Sequence, residues 1–212
     1  SRTYQLSWQP NDSNRQDERN FSHAIIRRLP AEVVVDAIVQ STAADARLTA
    51  LAADTRNRKI AQHPLSIQAR GLDYSLLVFG KPLRPTNCDC ERQMQPSLLQ
   101  SLYVRNDHEL LGWLERKDGW LVQVAAQLEQ SLAPEVAAAA AKTPAAAGSR
   151  HVEPAQADAL IDQAYLRTLC RAPRKHERDR ARAHLSAAEN TVEGLRDLLW
   201  ALVNTQEFLT NH

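Results

Sequence analysis

Apolar residues return every three or four positions along much of the chain, the period of a helix with one buried face. Between Asp17 and Arg28, the residues Phe21, Ala24, Ile25 and Arg28 share that spacing. The spacing predicts a helix ending on Arg27 and Arg28, where cations suit the negative end of the macrodipole. Pro30 suits the first turn of a second helix, with Val33, Val34, Ala37 and Ile38 as its apolar face. The periodicity then fades. Residues 41–73 read as mostly irregular, and the run Tyr74–Phe79 fits a short strand or a helix equally. Pro82 and Pro85 each disfavour helix in the residue before them, so residues 80–87 read as extended. Helical spacing returns in Ser97–Val104, His108–Arg116 and Trp120–Gln130, with Asp118-Gly119 as the turn between the last two. At the other end, Ser1–Trp8 alternates polar and apolar residues like a short extended segment, and Asn11–Asn20 reads as a polar loop.

The last third carries the clearest pattern. Pro154 opens a helix whose Ala157, Leu160, Ile161, Ala164, Tyr165, Thr168 and Leu169 form one stripe, and Arg171-Ala172-Pro173 breaks it. Lys175–Ala188 predicts a charged helix with a thin apolar line through Ala181 and Leu185. Its remaining positions, Lys175–Arg182 and His184, read as a solvated face. Asn190 followed by Glu193 has the spacing of a capping box, ahead of Leu195, Leu198, Leu199, Leu202 and Val203. Short loops join these three helices, as in antiparallel bundles. The predicted architecture is mostly α, with few or no strands: an irregular helical domain ending in a three-helix antiparallel unit. The expected divisions are a helical region over residues 1–132, a linker or insert over 133–150, and the C-terminal helical unit over 151–212. The middle piece is rich in Ala, yet Pro134, Pro144 and Gly148 interrupt it and nothing large is available to pack.

Composition narrows the function classes. The chain has 212 residues, 43% of them apolar and 24% charged, enough to bury a core. Lys and Arg number 26 against 25 for Asp and Glu, so no basic field argues for nucleic acid as a partner. Six glycines leave little for a phosphate-cradling loop. No apolar run approaches the ~20 residues of a membrane span. The chain opens at Ser1 with no leader pattern, as a mature or excised piece does. The patterns H-E-x-x-H, C-x-x-C-H, G-x-S-x-G, G-x-x-x-x-G-K-[ST] and G-x-G-x-x-G do not occur. No metal site is expected, and no cofactor within this chain.

Candidate chemistry concentrates in Phe79–Arg92, FGKPLRPTNCDCER. Cys88 and Cys90 admit three readings. They supply half of a tetrahedral zinc set, or a strained and easily reduced local disulfide, or two thiols packed beside a proline-rich turn. Glu91 and Arg92 fit a catalytic acid with an orienting cation, or a buried pair tying a loop to a helix start. Arg27 and Arg28 fit an anion contact or a pair that pins a loop.

Several blocks together resemble a known family. NFSHAIIRRLPAEVVVDAI, FGKPLRPTNCDCER followed by PSLLQSL, YLRTLCRAP and DLLWALVNTQEFLTNH are similar to successive blocks of the planctomycete-specific C-terminal domain. That is a domain of unknown function in large exported proteins, commonly behind planctomycete cytochrome c domains. The resemblance covers nearly the whole chain. It implies that SRTYQLS lies inside a domain whose start is upstream and that Asn211-His212 is a natural end. The Ala-rich segment and Cys170 depart from the pattern. The family lends no established catalytic residues; only Cys88, Cys90, Glu91 and Arg92 carry over, as a motif of unknown role.

The resemblance implies a periplasmic or cell-surface location, where structural roles for Cys88 and Cys90 are favoured. It also implies haem c in missing upstream domains, with those domains or another protein as partner. The expected function is a structural or interaction module. The alternative is a subsite of a haem-linked oxidoreductase or hydrolase acting on complex carbohydrate, with the Cys88 region lining a shared cleft. A module with part of its covering residues missing should expose a large apolar patch near the first two helices, around Phe21, Ile25 and Val34, or else self-associate to hide it.

Overall fold

The computed structural model describes residues 7, 9–17, 19–24, 26–49, 72–81, 97–100, 103, 108–130, 132 and 151–211. In chain order the elements are β1 (Arg27–Arg28), α1 (Ala31–Thr42), α2 (Leu72–Val78), α3 (His108–Leu114), α4 (Trp120–Leu128), α5 (Pro154–Leu169), α6 (Lys175–Ala187), α7 (Thr191–Val203), α8 (Gln206–Leu209) and β2 (Thr210–Asn211). Residues 45–49 and 98–100 are also helical. The fold is mostly α, as the periodicity predicts. The expected linker at 133–150 and the Cys88–Arg92 motif lie outside the described residues.

The three-helix unit forms where its sequence signals stand. Pro154 occupies the first turn of α5, and Leu160, Ile161, Ala164, Tyr165, Thr168 and Leu169 are buried. The helix stops one residue before the predicted break, because Cys170 turns left-handed at φ 55°. Asn190 caps α7, its Oδ1 accepting from the Glu193 N–H at 3.0 Å. Val192, Leu195, Leu199 and Val203 are fully buried behind that cap. Helix α6 buries only Ala181 and Leu185, the thin line expected. Its charged side is less solvated than predicted. Arg178 donates to Asp162 at 2.6 Å, and Arg182 forks onto Asp158, so two ion pairs fasten α6 to α5.

Helix α1 lies across this unit, packing on α2, α3 and α5. Neighbours on several sides bury more of it than one stripe. Ala31, Val34, Val35, Ile38 and Val39 enter the core, whereas Val33, expected inside, is 43% exposed. The buried hydroxyls of Ser41 and Thr42 return to the Ile38 carbonyl at 3.0 and 2.9 Å, which removes the cost of burying them unpaired. The undecided run Tyr74–Phe79 is helical through Val78, with Leu76, Val78 and Phe79 buried. Helices α3 and α4 pack on α7, and Trp120, Leu121 and Val124 extend the same core. Gly119 sits where a Cβ would meet the Arg116 carbonyl oxygen at 2.8 Å, and it bridges Ala43 across the end of α1.

Among the described residues of the predicted Asp17–Arg28 helix, none is helical. Asp17 instead accepts from the N–H groups of Arg19, Asn20 and Ser22 and from the Ser22 hydroxyl at 2.5–3.2 Å. A short acceptor that satisfies nearby backbone donors competes with helix, and here it curls the chain into a loop. Arg27 and Arg28 therefore end no helix. They pair antiparallel with Thr210–Asn211, in the register Arg27↔Asn211 and Arg28↔Thr210. Phe21 is 51% exposed, as expected, but Val34 is in the core. Ile25 lies outside the described residues.

Candidate functional site

The residues singled out by sequence do not converge among the described residues. Arg27 and Arg28 are neighbours in a strand, so their side chains leave on opposite sides. The Arg27 N–H donates to Asn211 Oδ1 at 2.7 Å, and its side chain is exposed. Arg28 Nη1 donates to Gln100 Oε1 at 2.5 Å, in partly buried surroundings. Cys88, Cys90, Glu91 and Arg92 lie outside the described residues.

The densest polar cluster is one that periodicity does not reveal. The left-handed turn at Cys170 throws Arg171 back over the end of α5. Its guanidinium grips two carboxylates: Nε and Nη2 donate to Glu207 at 2.6 and 2.8 Å, and Nη1 and Nη2 donate to Glu177 at 2.8 Å each. The guanidinium carbon also stands 5.6 Å from the centroid of the Tyr165 ring. Glu177 accepts a third bond, from the Arg174 N–H at 2.6 Å, at the start of α6. The bond from Arg171 pulls the Glu177 carboxyl from an ordinary 4.5 down to about 2, against the opposing effect of burial. The bond to Glu207 raises Arg171 above its already high range. Burial, then the charge of Glu177, pushes Tyr165 up. All three groups thus keep one protonation state around neutrality, which suits a fixed electrostatic joint rather than proton transfer. The spacing of Arg171 and Glu177 is visible in the sequence, but nothing local connects either to Glu207.

A second joint ties the end of α1 to α5 and α4. Arg167 Nη1 donates to the Ala43 carbonyl at 3.0 Å, and Nη2 bonds Asp45. Its guanidinium carbon lies 4.9 Å from the Trp120 ring centroid. Gln123 Nε2 donates to Asp45 at 3.1 Å; that bond first, and Arg167 second, hold the Asp45 carboxyl low. Next to it, burial pushes Asp118 up. The bonds from Arg116 at 2.9 and 3.1 Å and the charges of Arg116 and Arg47 outweigh burial, so the net shift is downward.

Beside α4 a cavity of about 470 Å³ has Val122, Ala125, Ala126 and Leu132 as its apolar wall, with Glu115, Glu129 and Gln130 as its polar side. Two of those polar groups, Glu115 and Gln130, already hold structure. Arg196 lies 3.6 Å from Glu115 and 2.9 Å from Glu193, and Gln130 Oε1 accepts from the Val192 N–H at 3.3 Å. Among the described residues no group of three or more His, Cys, Asp or Glu side chains is placed to hold a metal ion. No helix among them is long and apolar enough to cross a membrane.

With this geometry in place, the family is decided by one match. A family model described as Protein of unknown function (DUF1553), PSD1, matches residues 1–185. The chain belongs to this family. The matched span includes the Cys88–Arg92 motif, Arg167 and the Arg171–Glu177 pair. Residues 186–212, with the α7 core and Glu207, lie beyond it. No curated protein and no solved structure matches the chain.

Proposed function

We propose that this DUF1553 chain is an interaction module of a larger exported protein, docking against upstream domains that carry c-type haem. The observation that supports this reading is the uneven distribution of exposed apolar side chains. Among the described residues Ile26, Val33, Tyr74, Leu77, Leu98 and Leu99 stand exposed in the first half, Leu98 to 77%. In the three-helix unit Leu166 is the large apolar side chain left out. Burying a side chain of this size contributes about 1.5–3 kcal/mol, so a few of them suffice for a specific contact. The strongest ionic clusters point the same way, since Arg167 and Arg171 are spent on joining helices. The Arg28–Gln100 bond sets residues 98–100 beside β1, next to exposed Ile26.

The test is to produce this chain and the polypeptide that precedes it in the full-length protein as separate molecules, and to measure their association by light scattering and calorimetry. A complex is expected, and Leu77→Asp with Leu98→Asp should weaken it by roughly 10-fold or more. Two molecules that ignore each other, or a complex indifferent to both substitutions, would overturn the reading.

A further inference from the structure

The last residues of the chain turn away from α7 and run back to its beginning. Asn204 ends the helix, Thr205 Oγ1 accepts from the Phe208 N–H at 3.2 Å to start α8, and β2 then pairs with β1. Across residues 204–211, Phe208 is the one buried side chain. Three contacts reach residues near the start: the β1–β2 pair, the Leu29 N–H donating to the Leu209 carbonyl at 3.0 Å, and the Arg27 N–H donating to Asn211 Oδ1 at 2.7 Å. The Arg171 fork on Glu207 anchors the segment to the end of α5.

We infer that Gln206–Asn211 form a latch, closed by the Arg171–Glu207 fork, which opens as a unit and on opening frees Arg27–Leu29 from the fold. The balance of contacts carries this. A six-residue segment that puts one side chain, Phe208, into the core, packs Leu209 partly against it and pairs through a two-residue ladder opens at a fraction of the cost of global unfolding. The three-helix core beneath is held by fully buried Ile161, Val192, Leu195 and Leu199, so it stays closed when the latch opens. The fork is the strongest polar contact the segment makes, because both donors and the acceptor are charged and the geometry is two-pronged. Losing Glu207 does not orphan Arg171, which keeps both bonds to Glu177. The latch also reaches beyond β1. Arg28 holds Gln100, whose own N–H donates to Ser97 Oγ at 3.2 Å. Opening the C-terminal segment therefore loosens residues 97–100, which follow the Cys88–Arg92 motif in sequence.

The experiment is residue-resolved hydrogen exchange by NMR on the full 212-residue chain, comparing wild type, Glu207→Gln and Arg171→Lys. In Glu207→Gln the amides of Arg27 and Leu29 should exchange roughly 10- to 100-fold faster, the cost of one charge-assisted contact appearing as local opening. Amides within α5 and α7, such as Ile161 and Leu199, should change by no more than about twofold. Arg171→Lys, which keeps the charge and loses the fork, should fall between. Equal acceleration at Leu199 would mean that Glu207 supports the whole fold and that no separate latch exists. Unchanged exchange at Arg27 and Leu29 would mean that the fork does not close it. A Glu207→Gln chain that fails to fold overturns the inference too, because a latch is dispensable to the core.

Discussion

Gly194 of α7 lies against the backbone of Leu185 in α6: a Cβ on Gly194 would stand 3.0 Å from Leu185 Cα and 3.2 Å from Ala188 Cβ. The missing side chain is what lets the two helices approach. Replacing Gly with Ala in an exposed helix returns up to about 1 kcal/mol of propensity. Here the methyl must displace backbone, and such overpacking costs about 1–3 kcal/mol. Gly194→Ala is therefore expected to destabilise by about 1 kcal/mol net, read as a lower urea midpoint at unchanged slope. A raised midpoint would show that α6 gives way freely.

Leu199 is 0% exposed at the centre of the same unit, within the stripe of Leu195, Leu198 and Leu202. Leu199→Ala removes three buried carbons and leaves a cavity that fixed neighbours fill poorly, at about 2–5 kcal/mol. Equilibrium unfolding measures it directly; a loss within experimental noise would mean the α7 face is not packed.

Glu177 makes stability depend on acidity. Its folded pKa of about 2 lies below the ordinary 4.5, chiefly through the bond from Arg171. The unfolded chain thus takes up the proton more readily, so this contribution is fully present above about pH 4.5 and is lost as the pH falls toward about 2. Urea midpoints between pH 6 and pH 2.5 should drop in wild type, and the drop should be shallower in Glu177→Gln. Parallel curves would place the acid sensitivity elsewhere, for instance at Asp45 or Asp118, whose carboxyls are also held low.

The expected helix over Asp17–Arg28, ending on Arg27 and Arg28, fails because of one local acceptor. Phe21, Ala24 and Arg28 are spaced like a helix face, yet Asp17 offers its carboxylate to three backbone N–H groups within five residues. Spacing reports what a helix would bury, and it does not register a local acceptor that satisfies the same donors another way. Val33 fails for the opposite reason. Its spacing suits one stripe, but α1 is enclosed by α2, α3 and α5, and where those helices stand selects Val35 and Val39 instead. The candidate site was legible only as residue types. Arg171 and Glu177 can be read as charged neighbours, whereas the role of Glu207 depends on where α8 lands.

What the sequence determined by itself is the helical class and the limits of the C-terminal helices. Pro154 at the start of α5, the buried stripe behind it, and the Asn190 cap before Leu195 each act within one or two turns of chain, so local chemistry settles them. Tertiary structure alone decided which distant groups meet: Arg27 with Asn211, Arg28 with Gln100, Arg167 with Asp45, and Arg171 with Glu207. These pairs carry no periodic signal, because a charge or an amide finds a distant partner only after burial of the helices' apolar faces has placed both within hydrogen-bonding reach.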